Sequence, residues 1–289
     1  MKFEINSSDI NFRGRNFIAF FENINKACNY FGISYFVVGA FARDIILKNI
    51  FNQATGLDTQ DIDIAIRLDN WGNYQRFIDY LKTNCGFSEG RNTYTFISPE
   101  GVLTDILAYG EIEVERSISF PPDFRKVINM FGFQEVSDAC VQIRFDGKID
   151  LKIVSTEGIA ILKFIAWKDR EPARVSEKHT NDIGLIINAY FDAKVSEFAV
   201  EFSDLFSDVD DDDFDATLCG TRALGRRMRQ LSNSSNPLVD ELTQLFSYIL
   251  KDKDNSLFVK QLATFMRYED EFAYRTVEAL AQGFQEFQS

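Results

Sequence analysis

Three aspartates carry the most chemical promise in this chain. Asp61 and Asp63 are separated by one residue inside the apolar run Asp61-Ile62-Asp63-Ile64-Ala65-Ile66, and Asp105 interrupts a second apolar run, Val102-Leu103-Thr104-Asp105-Ile106-Leu107. Residues two apart on a strand point the same way, so a strand beginning at Asp61 would project two carboxylates from one face. Like charges at that spacing repel, and burial penalises them further. A hard divalent cation such as Mg²⁺, or Mn²⁺ in its place, relieves both penalties because it prefers carboxylate oxygens. The bland alternative is an exposed edge or turn with solvated acids. The apolar setting argues against that alternative. So does Gly39, which closes one apolar run and opens a short helical pattern, a place where backbone N–H groups can meet phosphate.

The elements that must position these residues can be read in order. Phe12–Phe31 has apolar residues at three- and four-residue steps and predicts a helix stopped by Gly32. Tyr35–Val38 predicts a strand, Ala40–Lys48 a short helix, Asn49–Gln60 a polar loop and Asp61–Leu68 a second strand. Asn70–Cys85 predicts a helix capped by Asn70 and ended by Gly86. Tyr94–Ile97 and Val102–Leu107 predict a hairpin turning at Ser98–Gly101, and Cys140–Phe145 and Ile149–Ile153 another, turning at Asp146-Gly147. From Thr156 onward the pattern is helical: a helix ending near Trp167, then Ser176–Tyr190, 218–231, 238–250, 257–268 and 274–287. Strands first and helices afterwards predict an α+β fold, a mixed sheet with flanking helices plus a helical C-terminal region. The expected domains are residues 1–154 and 155–289.

Composition narrows the functions. The chain has 289 residues, is 45% hydrophobic and has 29 phenylalanines, so an aromatic-rich core is expected. Four cysteines without CxxC pairing and a single histidine, His179, argue against zinc and against a multi-histidine metal centre. No run reaches membrane-spanning length and no leader pattern is read at the start, so the expected setting is cytoplasmic and off the membrane. The net charge of −13 does not steer nucleic acid by its overall field. Six of the aspartates lie between Asp208 and Asp215, where a calcium loop would need a glycine at Asp213 and a glutamate at Cys219. The block is therefore read as a solvated loop or helix start.

The run Val37-Val38-Gly39-Ala40-Phe41-Ala42-Arg43-Asp44, followed by Asp61-Ile62-Asp63 and then Asp105, resembles the nucleotidyltransferase fold of the DNA polymerase β superfamily. Within it the chain is most similar to the bacterial predicted nucleotidyltransferases related to the AbiEii/AbiGii toxins. The phrases TDILAYGEIE, LKFIAWKDR and KHTNDIGLI resemble that group's later motifs, so the likeness runs from about residue 30 to 230. The start also resembles the VGG-x-x-RD opening of tRNA CCA-adding enzymes. The resemblance implies transfer of a nucleoside monophosphate from an NTP to a hydroxyl, on an RNA such as a tRNA 3′ end or on a protein. It also implies the toxin of a toxin–antitoxin or phage-defence system, with an antitoxin protein as partner. Asp61, Asp63 and Asp105 would hold two Mg²⁺ or Mn²⁺ ions, which in such sites stand about 3.5–4 Å apart and clamp the attacking and leaving oxygens. Gly39 and Ala40 would seat the triphosphate.

Two features depart from those relatives. Gly39-Ala40 stands where they have Gly-Ser or Gly-Gly, and Gly39 and Asp61 are 22 positions apart, a longer gap than usual. A nucleotide-binding or regulatory protein without turnover on the same fold is the alternative. The three aspartates are expected to converge within metal-bridging reach at one sheet edge, facing Gly39. Other residues have two readings each. Arg43 pairs with Asp44 or meets substrate. Lys163 snorkels from an apolar helix or meets the triphosphate. Lys178 and Asp182, four apart on one helix face, form an ordinary pair or contribute to the site, as a Lys/Arg-x-x-Asp region does in the resembling toxins. His179 is read as a surface or packing residue. Arg222, Arg226, Arg227 and Arg229 contact a nucleic acid or balance the acidic block.

Overall fold

In the computed structural model the chain divides into two compact units, Met1–Ser155 and Thr156–Ser289. The structure describes residues 2–12, 14–54, 59–122, 124–169, 177–206 and 214–286. The Arg170, Pro172 and Arg174 loop, Asp208–Asp213 of the acidic block and part of the loop before Asp61 lie outside those residues.

The first unit is built on a mixed sheet. Its strands are β1 (Lys2–Ile5), β2 (Tyr35–Val38), β3 (Asp63–Arg67), β4 (Ser88–Glu89), β5 (Thr95–Ile97), β6 (Leu103–Tyr109), β9 (Val141–Phe145) and β10 (Ile149–Ile153), in the spatial order β1-β9-β10-β2-β3-β6-β5-β4. A separate hairpin joins β7 (Ser117–Ser119) and β8 (Val127–Asn129). Strand β3 runs antiparallel to β2 and parallel to β6, and β5 returns antiparallel on β6. The carboxylate-bearing strands β3 and β6 are therefore interior. The expectation of a site at a sheet edge is corrected: the aspartates lie at the start of β3 and on β6, in the middle of the strand order.

Four α-helices accompany this sheet among the described residues: α1 (Phe17–Phe31), α2 (Gly39–Asp44), α3 (Trp71–Cys85) and α4 (Phe133–Asp138). Helix α1 starts five residues later than its periodicity suggests. The Asn16 side chain accepts from the Ala19 N–H and caps it there, and Gly14 just before has φ +71°. Phe17, Phe20, Phe21 and Ile24 are buried along its inner face, and Phe17 meets Phe41 and Phe145 edge-on or tilted at 5.5–5.8 Å. Burial of each such ring contributes about 1.5–3 kcal/mol. The pattern read as one helix over residues 40–48 is two pieces. Helix α2 ends at Asp44, and Ile45–Ile50 continue as a wider π turn that buries Ile45, Ile46 and Leu47. Helix α3 is capped by the Asn70 side chain and ends on Gly86 in the left-handed conformation, as its sequence predicts.

The second unit is helical: α5 (Thr156–Lys168), α6 (Lys178–Glu201), α7 (Ala216–Ser232), α8 (Asn236–Leu250), α9 (Leu257–Met266) and α10 (Asp270–Glu286). Helices α7 and α10 approach so closely that a β-carbon on Gly225 would strike the Leu280 carbonyl and one on Gly283 the Arg222 carbonyl. Asp215, last of the acidic block, caps α7 by accepting from the Leu218 N–H at 2.9 Å. No helix among the described residues is long and apolar enough to cross a membrane.

Candidate active site

The β3–β6 register decides where the acids stand. Ile64 pairs with Ile106 in parallel, so one residue back Asp63 lies beside Asp105, and the isolated pairing of Asp61 with Leu103 keeps the same register. Partners across a parallel ladder point to the same side, and side chains alternate along each strand. Asp61, Asp63 and Asp105 therefore share one face. Ile62, Ile64, Thr104 and Ile106 fill the other and are fully buried. The apolar residues between the acids are what fix the parity.

Gly39 meets this row of carboxylates directly. Val38 pairs with Asp63, and the chain leaves β2 at Gly39 with φ +74°, a region that favours glycine. A β-carbon there would collide with Asp63 Oδ2 and come within 3.3 Å of its Cγ. The open space above Gly39 is thus taken by the second carboxylate. Ala40, next in α2, is buried.

The outer two carboxylates lean on threonines. Thr59 Oγ1 donates to Asp61 Oδ1 at 2.6 Å, and Thr95 Oγ1 donates to Asp105 Oδ1 at 2.6 Å. Two phenols lie close by. Burial raises the Tyr94 hydroxyl above its ordinary pKa, and the negative charges of Asp105 and Asp63 raise it further. Tyr74, whose hydroxyl donates to the Ile106 carbonyl at 3.1 Å, is raised by burial and then by Asp105. Among the described residues, no three His, Cys, Asp or Glu side chains are gathered into a group that could hold a metal ion. The carboxylates stand side by side along the sheet. Carboxylate oxygens of one charge on one face are the donor type that hard divalent cations prefer.

Arg43, Lys163, Arg222, Arg226 and Arg227 have carboxylate partners. Arg43, 2% exposed, donates from Nε and Nη2 to Asp44 Oδ1 at 2.9 and 2.5 Å, and Lys48 Nζ is 3.8 Å from Asp44 Oδ2. In the second unit Lys163 forms an ion pair with Asp182, both nearly buried. Lys178 is exposed in the first turn of α6, and His179 is buried there. The arginine cluster is engaged within its own unit. Arg222 and Arg226 reach Glu286, Arg226 also reaches Asp204, and Arg227 reaches Glu201 at 2.7 Å. Arg229 donates to Asn233 at 2.9 Å and lies over the Phe284 ring. Sequence reasoning passed over Thr59, Thr95 and Tyr94. For Thr95 a signal was present: the turn at Ser98–Gly101 sets it opposite Asp105 across the hairpin.

No protein-family model matches the chain, and no curated protein matches it. Two similar solved structures are the antibiotic-resistance factor ANT(2'')-Ia and an antigenic nucleotidyltransferase-like protein from Paracoccidioides brasiliensis. The first is 16% identical with a TM-score of 0.34, and the match covers 66% of this chain and 95% of that one. The second is 16% identical with a TM-score of 0.37, and the match covers 66% of this chain and 90% of that one.

Proposed function

We propose that the chain is a nucleotidyltransferase that moves a nucleoside monophosphate from an NTP to an acceptor hydroxyl, with the α–β phosphoanhydride bond broken and pyrophosphate released. The observation that carries this reading is the shared face of Asp61, Asp63 and Asp105, with Asp63 lying over Gly39. That arrangement gathers negative charge where a cation would offset it, and Gly39 lets the backbone come close to the Asp63 carboxylate where a β-carbon would collide with it. Asp61, Asp63 and Asp105 would hold Mg²⁺ or Mn²⁺. Bound there, the cation would lower the pKa of the acceptor hydroxyl and neutralise the phosphate oxygens. The reading requires the cation to draw together carboxylates that now stand side by side. Gly39 and buried Ala40 would present backbone to the triphosphate.

The acceptor is a hydroxyl of an RNA, a tRNA 3′ end among the candidates, or of a protein. The setting is the toxin of a toxin–antitoxin or phage-defence pair in the cytoplasm, with an antitoxin protein as partner. Both proposals rest on the sequence resemblance. The Gly39-Ala40 step, which stands where the resembling relatives have Gly-Ser or Gly-Gly, favours a second reading, nucleotide binding without turnover. One experiment separates these readings. Labelled NTPs, Mg²⁺ or Mn²⁺ and either total RNA or total protein are incubated with the chain. Transfer that disappears in Asp61→Ala and Asp63→Ala is the expected outcome, and the labelled fraction identifies the acceptor class. Saturable NTP binding without transfer would establish the second reading, and absence of both would end the nucleotide reading.

A further inference from the structure

Thr95 is buried, 4% exposed, and its surroundings are built to hold one hydroxyl in one direction. An ionised carboxylate only accepts, so the single Thr95 proton must go to Asp105 Oδ1, at 2.6 Å. The Thr95 oxygen then accepts from behind, where Asn92 Nδ2 stands at 3.3 Å. Only the amide nitrogen of Asn92 satisfies that contact, because the threonine has no second proton to give a carbonyl. The backbone closes the remaining sides. Thr95 N–H donates to the Asn92 carbonyl at 3.0 Å, and Gly90 N–H donates to the Thr95 carbonyl at 2.7 Å. A β-carbon on Gly90 would come within 2.7 Å of the Thr95 methyl. The short segment from Gly90 to Thr95 is wrapped around this side chain.

We propose that Thr95, oriented by Asn92, is a positioning residue that aims the Asp105 carboxylate toward the face it shares with Asp61 and Asp63. The inference rests on the reading of Asp105 as a metal-holding carboxylate. Hydrogen-bond partners behind metal ligands fix their orientation, and losing one costs about 10–100-fold in metal affinity. Thr95→Val keeps the shape and removes the hydroxyl. Thr95→Ser keeps the hydroxyl, and Asn92→Ala alters only an exposed side chain.

The test titrates the full chain with Mn²⁺ alone, counting free ion by its paramagnetic resonance signal, with thermal melts to show that each variant folds. Asp63→Asn serves as the control for the metal reading. Thr95→Val is expected to weaken Mn²⁺ binding about 10–100-fold, Thr95→Ser to restore it to within about threefold of the wild type, and Asn92→Ala to weaken it severalfold. The same order is expected in the Mn²⁺ concentration giving half-maximal label transfer. Wild-type binding that depends on Asp63 but is unchanged in Thr95→Val, or a Thr95→Ser variant no better than the valine, would overturn this inference alone. A wild type that binds no Mn²⁺ would overturn the metal reading and this inference with it. If Thr95→Val does not fold, an Asn92→Ala variant with wild-type affinity overturns the inference, and one with weakened affinity supports it.

Discussion

Both units of this protein contain matched ion pairs, and the sheet unit adds a row of like charges. In the helical unit unlike charges are matched: Lys163 with Asp182, Arg226 with Asp204 and Glu286, and Arg227 with Glu201. In the sheet unit, like charges are set side by side by strand register, with Asp61, Asp63 and Asp105 on one face. A matched pair spares the fold the cost of a stranded charge. Like charges set in a row repel one another. The contrast separates residues that hold the molecule together from residues held for another purpose.

The comparison breaks most visibly at Lys163. A buried ion pair that loses one partner leaves a charge stranded in low dielectric, so Lys163→Met is expected to destabilise the protein by about 3–5 kcal/mol. Urea unfolding measures this, and a change below about 1 kcal/mol would show that the pair is not structural. Gly39→Ala should have an intermediate effect. A left-handed φ costs a residue with a β-carbon about 1–2 kcal/mol, and the methyl must also displace the Asp63 carboxylate. Its signature is joint: a modest loss of stability together with loss of label transfer. Retention of transfer would detach Gly39 from the site. The smallest effect on stability is expected at Asp63→Asn. Removing one of several like charges relieves repulsion, so the metal-free melting temperature should stay level or rise. A fall as large as that of Lys163→Met would erase the contrast between the units.

Much of this arrangement could be read from the residues. Strand β2, Gly39 and strand β3 were legible because Ile62, Ile64 and Ile66 alternate with the acids and a glycine marks the turn of the chain. The caps at Asn70 and Gly86 were legible for similar local reasons. Contacts that join distant segments were not. Strand β1 has only Ile5 buried among its four residues, so no alternation announces it, and it is placed by pairing with β9 and by Ser7 donating to Asp146 at 2.6 Å. The π turn at Ile45–Ile50 carries the same apolar spacing as a continued α-helix. The choice of Lys163 as the partner of Asp182 depends on how α5 meets α6, which no local pattern encodes. Thr95 lies between these cases. Its place opposite Asp105 follows from the hairpin turn, but its hydroxyl gains meaning only once Asn92 is seen behind it.

The strict alternation along β3 and β6 also bears on how the chain avoids folding wrongly. If β6 slipped by one residue against its neighbours, Asp105 would turn into the buried layer and Ile106 would turn out beside the other acids. Burying an unpaired carboxylate is far more costly than burying an isoleucine is rewarding. The acids that burden the finished sheet therefore penalise its nearest misaligned form, so the residues held ready for a cation also proofread the strand pairing that places them.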